Sequence, residues 1–232
     1  MTDVDTARDV GPGGGAGSRL DGRRVRGDRT RHAILRRAVD IASVDGLAGL
    51  TIGRLAGELE LSKSGLFAHF GSKEELQVST VRAAGAIFAE EVVTPAVERS
   101  EPGLPRLLAV LDAWCDYLQR EVFAGGCFFV AARAEVDGHP DGPLRDAVAA
   151  QLRRWETLLA GLVEAAQERG ELAPGDDPAQ LAFELDAFGS ATNAAWQLHR
   201  DPAAFDRGRR AMRARLERAA TAAGRAVLAG AP

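Results

Sequence analysis

Residues 51–70, TIGRLAGELELSKSGLFAHF, constrain the fold more than any other stretch of this chain. They hold two short apolar-periodic runs broken by a three-residue turn. Leu55, Ala56 and Leu59 give the first run an apolar helical face, with Thr51 placed to cap its N-terminus. Ser62 is placed to cap the second, in which Leu66 and Phe70, four residues apart, share a face. Ala56 is small where the two helices must cross closely, and Leu61 is expected to plug the corner. Lys63, Ser64, Gly65, Phe67 and His69 are left on the far side or at the leading end of the second helix. Two helices crossing over so short a turn make a helix-turn-helix, whose second helix enters the DNA major groove by its N-terminal end. An ordinary helical hairpin inside a core is the competing reading.

The flanks narrow the choice. From residue 30 to 76 the segments RTRHAILRRAVDIASVDGLAGLTIGRLA, LSKSGLFAHF and GSKEEL follow one another. In these motifs the chain resembles the DNA-binding domain of the TetR family of transcriptional repressors. Two positions depart from that family's pattern. Glu60 stands where many such turns carry Gly, so a left-handed backbone there would cost about 1 kcal/mol. Phe67 stands where the family commonly has Tyr, which removes a hydroxyl that would reach a phosphate.

The 232 residues suffice for one or two domains with a substantial core, and 46% apolar residues is ordinary for a globular chain. The net charge of −4 hides an asymmetry. Lys and Arg outnumber Asp and Glu between residues 19 and 73, so the remainder is acidic, the pattern of a separate DNA-binding module on an acidic body. Cys115 and Cys127 are too few for a disulfide framework and fall at expected core positions, where buried free thiols are the simplest reading, with a redox switch the weaker one. The four His residues are scattered without metal-ligand spacing, so neither a metal nor a cofactor is expected. No window of about 18 apolar residues occurs, and the N-terminus lacks the apolar core of a signal peptide, so a soluble cytoplasmic protein without membrane contact is expected.

The pattern reads as all-α throughout. Residues 1–27, with GPGGGAG followed by Arg23, Arg24 and Arg26, are expected to form a disordered tail, or a basic arm that touches phosphates or the minor groove. Residues 28–75 form the expected three-helix DNA-binding domain, and residues 76–232 a helical domain for ligand binding and dimerisation. The first helix is expected over residues 30–44, with Ile34, Ala38 and Ile41 on its buried stripe and Gly46 just past its end. Gly71 closes the second helix of the reading unit. Ser72 and Glu75 then form the S-x-x-E capping box of a helix running to about Val93, a natural lever between the DNA and the body. Further helices follow over residues 104–122, from Cys127, over 144–169, and from Asp177-Pro178 and Asp201-Pro202, each an N-cap followed by proline.

The functional expectation is a homodimeric repressor that covers a palindromic double-stranded operator and is released by a ligand. Arg54, Lys73 and the amides near Thr51 would hold phosphates. Lys63 and Ser64 would reach base edges, Gly65 would allow close approach, Phe67 would touch a thymine methyl, and His69 would meet the backbone. The resemblance implies a small-molecule cavity among the middle helices. Phe88, Trp114, Tyr117, Phe123, Phe128 and Phe129 are its candidate lining, against the alternative that they are plain core. Their character favours a small, mostly apolar effector, with Tyr117 as a polar anchor. Leu152, Trp155, Leu159, Leu185, Phe188, Ala191 and Ala195 are the expected dimer contacts, in half of a four-helix bundle completed by a second subunit. An activator or an architectural DNA-binding protein would carry the same reading head. An enzyme is not expected, since G-x-S-x-G, a Gly-rich phosphate loop with Lys, and H-E-x-x-H are all missing.

Overall fold

A computed structural model describes residues 16–230 of the chain, with side chains described from Thr30 to Gly230. Among them the only extended pairing is a single bridge between Leu172 and Ala220. The helices are α1 (Ala16–Gly49), α2 (Ile52–Glu58), α3 (Lys63–Phe70), α4 (Lys73–Phe88), a π turn (Ala89–Val93), α5 (Thr94–Glu98), α6 (Leu104–Gln119), α7 (Phe128–Val136), α8 (Pro143–Glu168), α9 (Pro178–His199), α10 (Ala203–Ala219) and α11 (Ala222–Gly230). No helix among the described residues is long and apolar enough to cross a membrane.

Helix α1 starts at Ala16, well before the residue 30 expected from sequence, and its helical backbone runs through the arginine-rich segment. The first fifteen residues of the expected tail, and the expected phosphate contacts of Arg23, Arg24 and Arg26, lie outside the described residues. At Gly46 the backbone takes φ 74 and ψ 167, which breaks α1 and turns residues 47–49 into a new helical start. Ile34, Ala38, Leu47, Leu50, Leu55, Leu66, Phe70 and Leu76 are buried together, so α1, α2, α3 and the start of α4 share one small core.

In the body, α4 packs on α1 and α8, α8 lies along α9, and α10 covers α9 and α6. The α4 rod changes pitch beside Pro95. Proline has no N–H to give the carbonyl of Glu91, and the N–H of Thr94 bonds instead to the carbonyl of Ala89, five residues back. Gly189 on α9 is buried under Trp114, and a Cβ there would come within 2.0 Å of the indole. The missing side chain at Gly189 thus lets α6 of the same chain pack closely on α9.

Candidate DNA-reading head and interior cavity

The reading head is built by three caps. The Thr51 hydroxyl accepts the N–H of Arg54 at 3.1 Å and starts α2, and the Ser62 hydroxyl accepts the N–H of Gly65 at 3.0 Å and starts α3. Ser72 accepts the N–H of Glu75 at 3.0 Å and starts α4. Only half of the expected capping box forms, because the Ser72 N–H bonds the carbonyl of Phe70 and the Glu75 carboxylate receives the Ser79 hydroxyl. Between α2 and α3 the chain reverses through a Schellman turn. The N–H of Leu61 reaches the carbonyl of Ala56 at 2.9 Å, the N–H of Glu60 reaches that of Gly57, and Glu60 sits at φ 53. Leu61 does not plug the corner; it is 41% exposed, and the buried anchors are Leu55, Ala56, Leu66 and Phe70.

With Leu66 and Phe70 inward, α3 turns Lys63, Ser64, Gly65 and Phe67 to solvent, with Phe67 55% exposed and His69 half-buried. Lys63 has no hydrogen-bond or ion-pair partner among the described residues, so its ammonium is free for an external acceptor. The other expected cations are already engaged. Arg54 pairs with Asp45 at 2.6 Å, and Lys73 donates to the carbonyl of Ala48 at 2.9 Å. A phosphate would have to share or displace those partners. Arg31, which sequence reasoning passed over, donates to the carbonyl of His69 at 2.7 Å and to Ser79 at 3.0 Å, and lies 4.5 Å above the Phe70 ring. A cation at the C-terminal end of α3 favours its dipole and ties α3 to α4.

A cavity of about 1120 Å³ opens in the body between α4, α6, α7, α8 and α9. Phe88, Trp114 and Phe129 line it, as expected. Tyr117, Phe123 and Phe128 do not. They are fully buried in the core, where Tyr117 meets Phe88 and Phe123 edge-on and Phe128 meets Phe129. Tyr117, expected as a polar anchor, does not reach the cavity surface, and burial pushes its phenol above the usual range. Leu152 and Trp155, expected at a dimer interface, face the cavity instead, and Trp155 packs edge-on with Phe88 and Trp114. Part of the polar lining is a cluster of Arg133, Asp186 and Ser190, and Glu74, Glu75, Arg82, Asp146 and Arg154 add charge elsewhere along it. Arg133 donates to Asp186 at 3.2 Å and to Ser190 at 3.0 Å, and the Trp155 indole N–H donates to the other Asp186 oxygen at 3.0 Å. Gln151 also lines the cavity, and Cys127 lies in its wall with its thiol pushed up by burial.

Leu159 and Leu185, two further expected dimer contacts, are fully buried inside the chain, and Phe188 packs half-buried against the core. Leu159 and Leu185 are thus spent on the chain's own core, while Phe188 keeps part of its surface exposed. The outer face of α9 carries Phe183, Ala187, Ala191, Ala194 and Leu198 at steps of four, four, three and four. All are exposed, Phe183 at 68% and Leu198 at 78%, with Ala195 half-buried at the edge.

Comparison with known proteins agrees with this architecture. Residues 34–79 match the domain described as bacterial regulatory proteins, tetR family, and residues 103–212 match the tetracyclin repressor-like C-terminal domain. No curated protein matches the chain. Among solved structures, a TetR transcriptional regulator from Chloroflexus aurantiacus J-10-FL superposes with TM-score 0.70 at 24% identity, covering 81% of this chain and 93% of its own. A TetR family regulator from Cytophaga hutchinsonii gives 0.74 at 21% identity, covering 84% and 96%. A transcriptional regulator from Saccharomonospora viridis, solved in complex with choline, gives 0.69 at 18% identity, covering 82% and 96%.

Proposed function

Because the chain belongs to the TetR family of transcriptional regulators, we propose that it is a homodimeric repressor of a palindromic operator, released by a small ligand in the body cavity. The observation that carries this reading is α3, capped by Ser62, held down by Leu66 and Phe70, and offering Lys63, Ser64 and Phe67 outward. An unpaired ammonium and a hydroxyl at the leading end of a short helix match guanine O6/N7 and other base-edge acceptors. Phe67 gives an apolar contact of the kind a thymine methyl takes. Gly65 keeps the backbone close, Thr51 and Ser62 present free amide ends toward phosphates, and His69 meets the backbone.

One short helix reads too few bases to be selective, which supports a dimer addressing half-sites about 34–36 Å apart or somewhat more. The apolar outer face of α9, from Phe183 to Leu198 with Ala191 at its middle, is the surface this reading assigns to the two-fold contact, with α8 beside it. The effector is mostly apolar, stacked beside Trp155, Phe88 and Trp114 and held at Arg133, Asp186 or Ser190. Moving the reading heads from 1:99 to 99:1 requires roughly 5.5 kcal/mol of differential affinity. Helix α4 starts at the DNA end and lines the cavity with Phe88, which makes it the lever.

Unbiased selection of duplex fragments from the source genome tests the proposal. Enrichment of one inverted repeat is expected, and a pool with no sequence in common would overturn it.

A further inference from the structure

The kink at Gly46 leaves the N–H groups of Leu47 and Ala48 at the start of a helical turn, where the preceding turn of backbone supplies no acceptor. Glu135 of α7 takes both: its two carboxylate oxygens accept Leu47 N–H at 2.7 Å and Ala48 N–H at 2.6 Å. The carbonyls of the same two residues are held from the opposite element, α4, by Gln77 at 2.6 Å and Lys73 at 2.9 Å. This turn leads within three residues into the N-cap of α2, and Leu47 and Leu50 are buried in the reading-head core. The same α7 faces the cavity with Phe129, Val130 and Arg133, the last fixed to Asp186 and Ser190 on α9. Residues two apart on a helix are about 200° apart, so Arg133 and Glu135 work on opposite sides of one rigid element. At the start of α7, the loop backbone is pressed on α1: a Cβ on Gly125 would come within 1.7 Å of the Ser43 carbonyl oxygen.

Resting on the repressor reading, we infer that Glu135 is a positioning residue for DNA binding. An occupant that competes for Arg133 shifts α7, draws the Glu135 carboxylate off the Leu47 and Ala48 amides, and frees the turn that aims α2 and α3. This is a route from cavity to reading head separate from α4. Glu135 touches neither DNA nor effector.

The test is a double-mutant cycle on the full-length protein, read by amide exchange over residues 46–50 and by affinity for the selected duplex. Arg133→Met removes the cavity-side hold and keeps the aliphatic stem. Glu135→Ala should speed exchange of the two amides about tenfold, as loss of a charge-assisted hydrogen bond implies, and weaken operator binding by a similar factor. Arg133→Met should speed exchange several-fold in the wild-type background and add nothing when Glu135 is already Ala. Glu135→Gln keeps one acceptor oxygen but turns its NH2 toward the second amide, so it should restore protection at only one of the two positions. Equal increments from Arg133→Met in both backgrounds, or unchanged operator affinity in Glu135→Ala, would overturn the inference. If the wild type binds no duplex, the repressor reading fails, and the exchange cycle still decides whether α7 couples cavity to turn.

Discussion

Glu60 holds a left-handed backbone at φ 53 without the glycine that would relieve it. Its own N–H and that of Leu61 still complete the turn, so the strain is local and removable. Glu60→Gly should raise stability by about 1 kcal/mol, read as a higher denaturant midpoint with unchanged m. A lower midpoint would mean that Glu60 makes a contribution its geometry does not reveal. Lys63 is the opposite case, a side chain with nothing to lose inside the protein. Lys63→Ala should leave folding intact and cost about 1–3 kcal/mol on the best operator, with relaxed base preference. The same loss on every duplex would make it a phosphate contact. Both residues were legible in sequence, Glu60 from its place in the turn and Lys63 from its place after the cap. Glu135 was not, because a Glu whose partners lie 87 and 88 residues away leaves no local signal.

At the scale of elements, helix positions followed from periodicity and punctuation. Asp177-Pro178 opens α9 and Gly71 ends α3, as expected from their N-cap and C-cap chemistry. Which way each face turns was less legible. On α8 and α9 large apolar residues occur on more than one side, so the sequence gives a helix but not its rotation. Leu159 and Leu185 went inward, Trp155 turned to the cavity, and the exposed stripe fell to Phe183, Ala187, Ala191, Ala194 and Leu198. If that stripe is the dimer contact, Phe183→Glu should weaken dimerisation about tenfold or more by sedimentation, since it removes a large apolar contact and sets a charge on the covered face. Operator affinity should fall with it. A variant that stays dimeric would move the interface elsewhere.

For the molecule as a whole, the body buries titratable groups that the unfolded chain would expose. Burial pushes the Cys115 thiol from its ordinary value of 9.0 up to about 11, and the Cys127 thiol and Tyr117 phenol move in the same direction. The folded state therefore keeps protons that the unfolded state releases. Stability is full below about pH 9 and declines as pH climbs toward 11, with Cys115 alone contributing a loss on the order of 2–3 kcal/mol. Urea unfolding at pH 8 and pH 10.5 should show the fall, and Cys115→Ala should flatten it. A Cys115→Ala profile as steep as wild type would assign the alkaline loss to other groups.

Local chemistry determined the all-α class, the helix-turn-helix and the residues its second helix offers, because caps, turn residues and apolar spacing act within a few positions along the chain. Tertiary structure alone decided which aromatics border the cavity, that Arg133, Trp155, Asp186 and Ser190 form one hydrogen-bonded cluster in its lining, and that Glu135 grips the turn before α2. Those outcomes depend on how whole helices rotate and approach one another, and close packing of a core is a property of many distant residues at once.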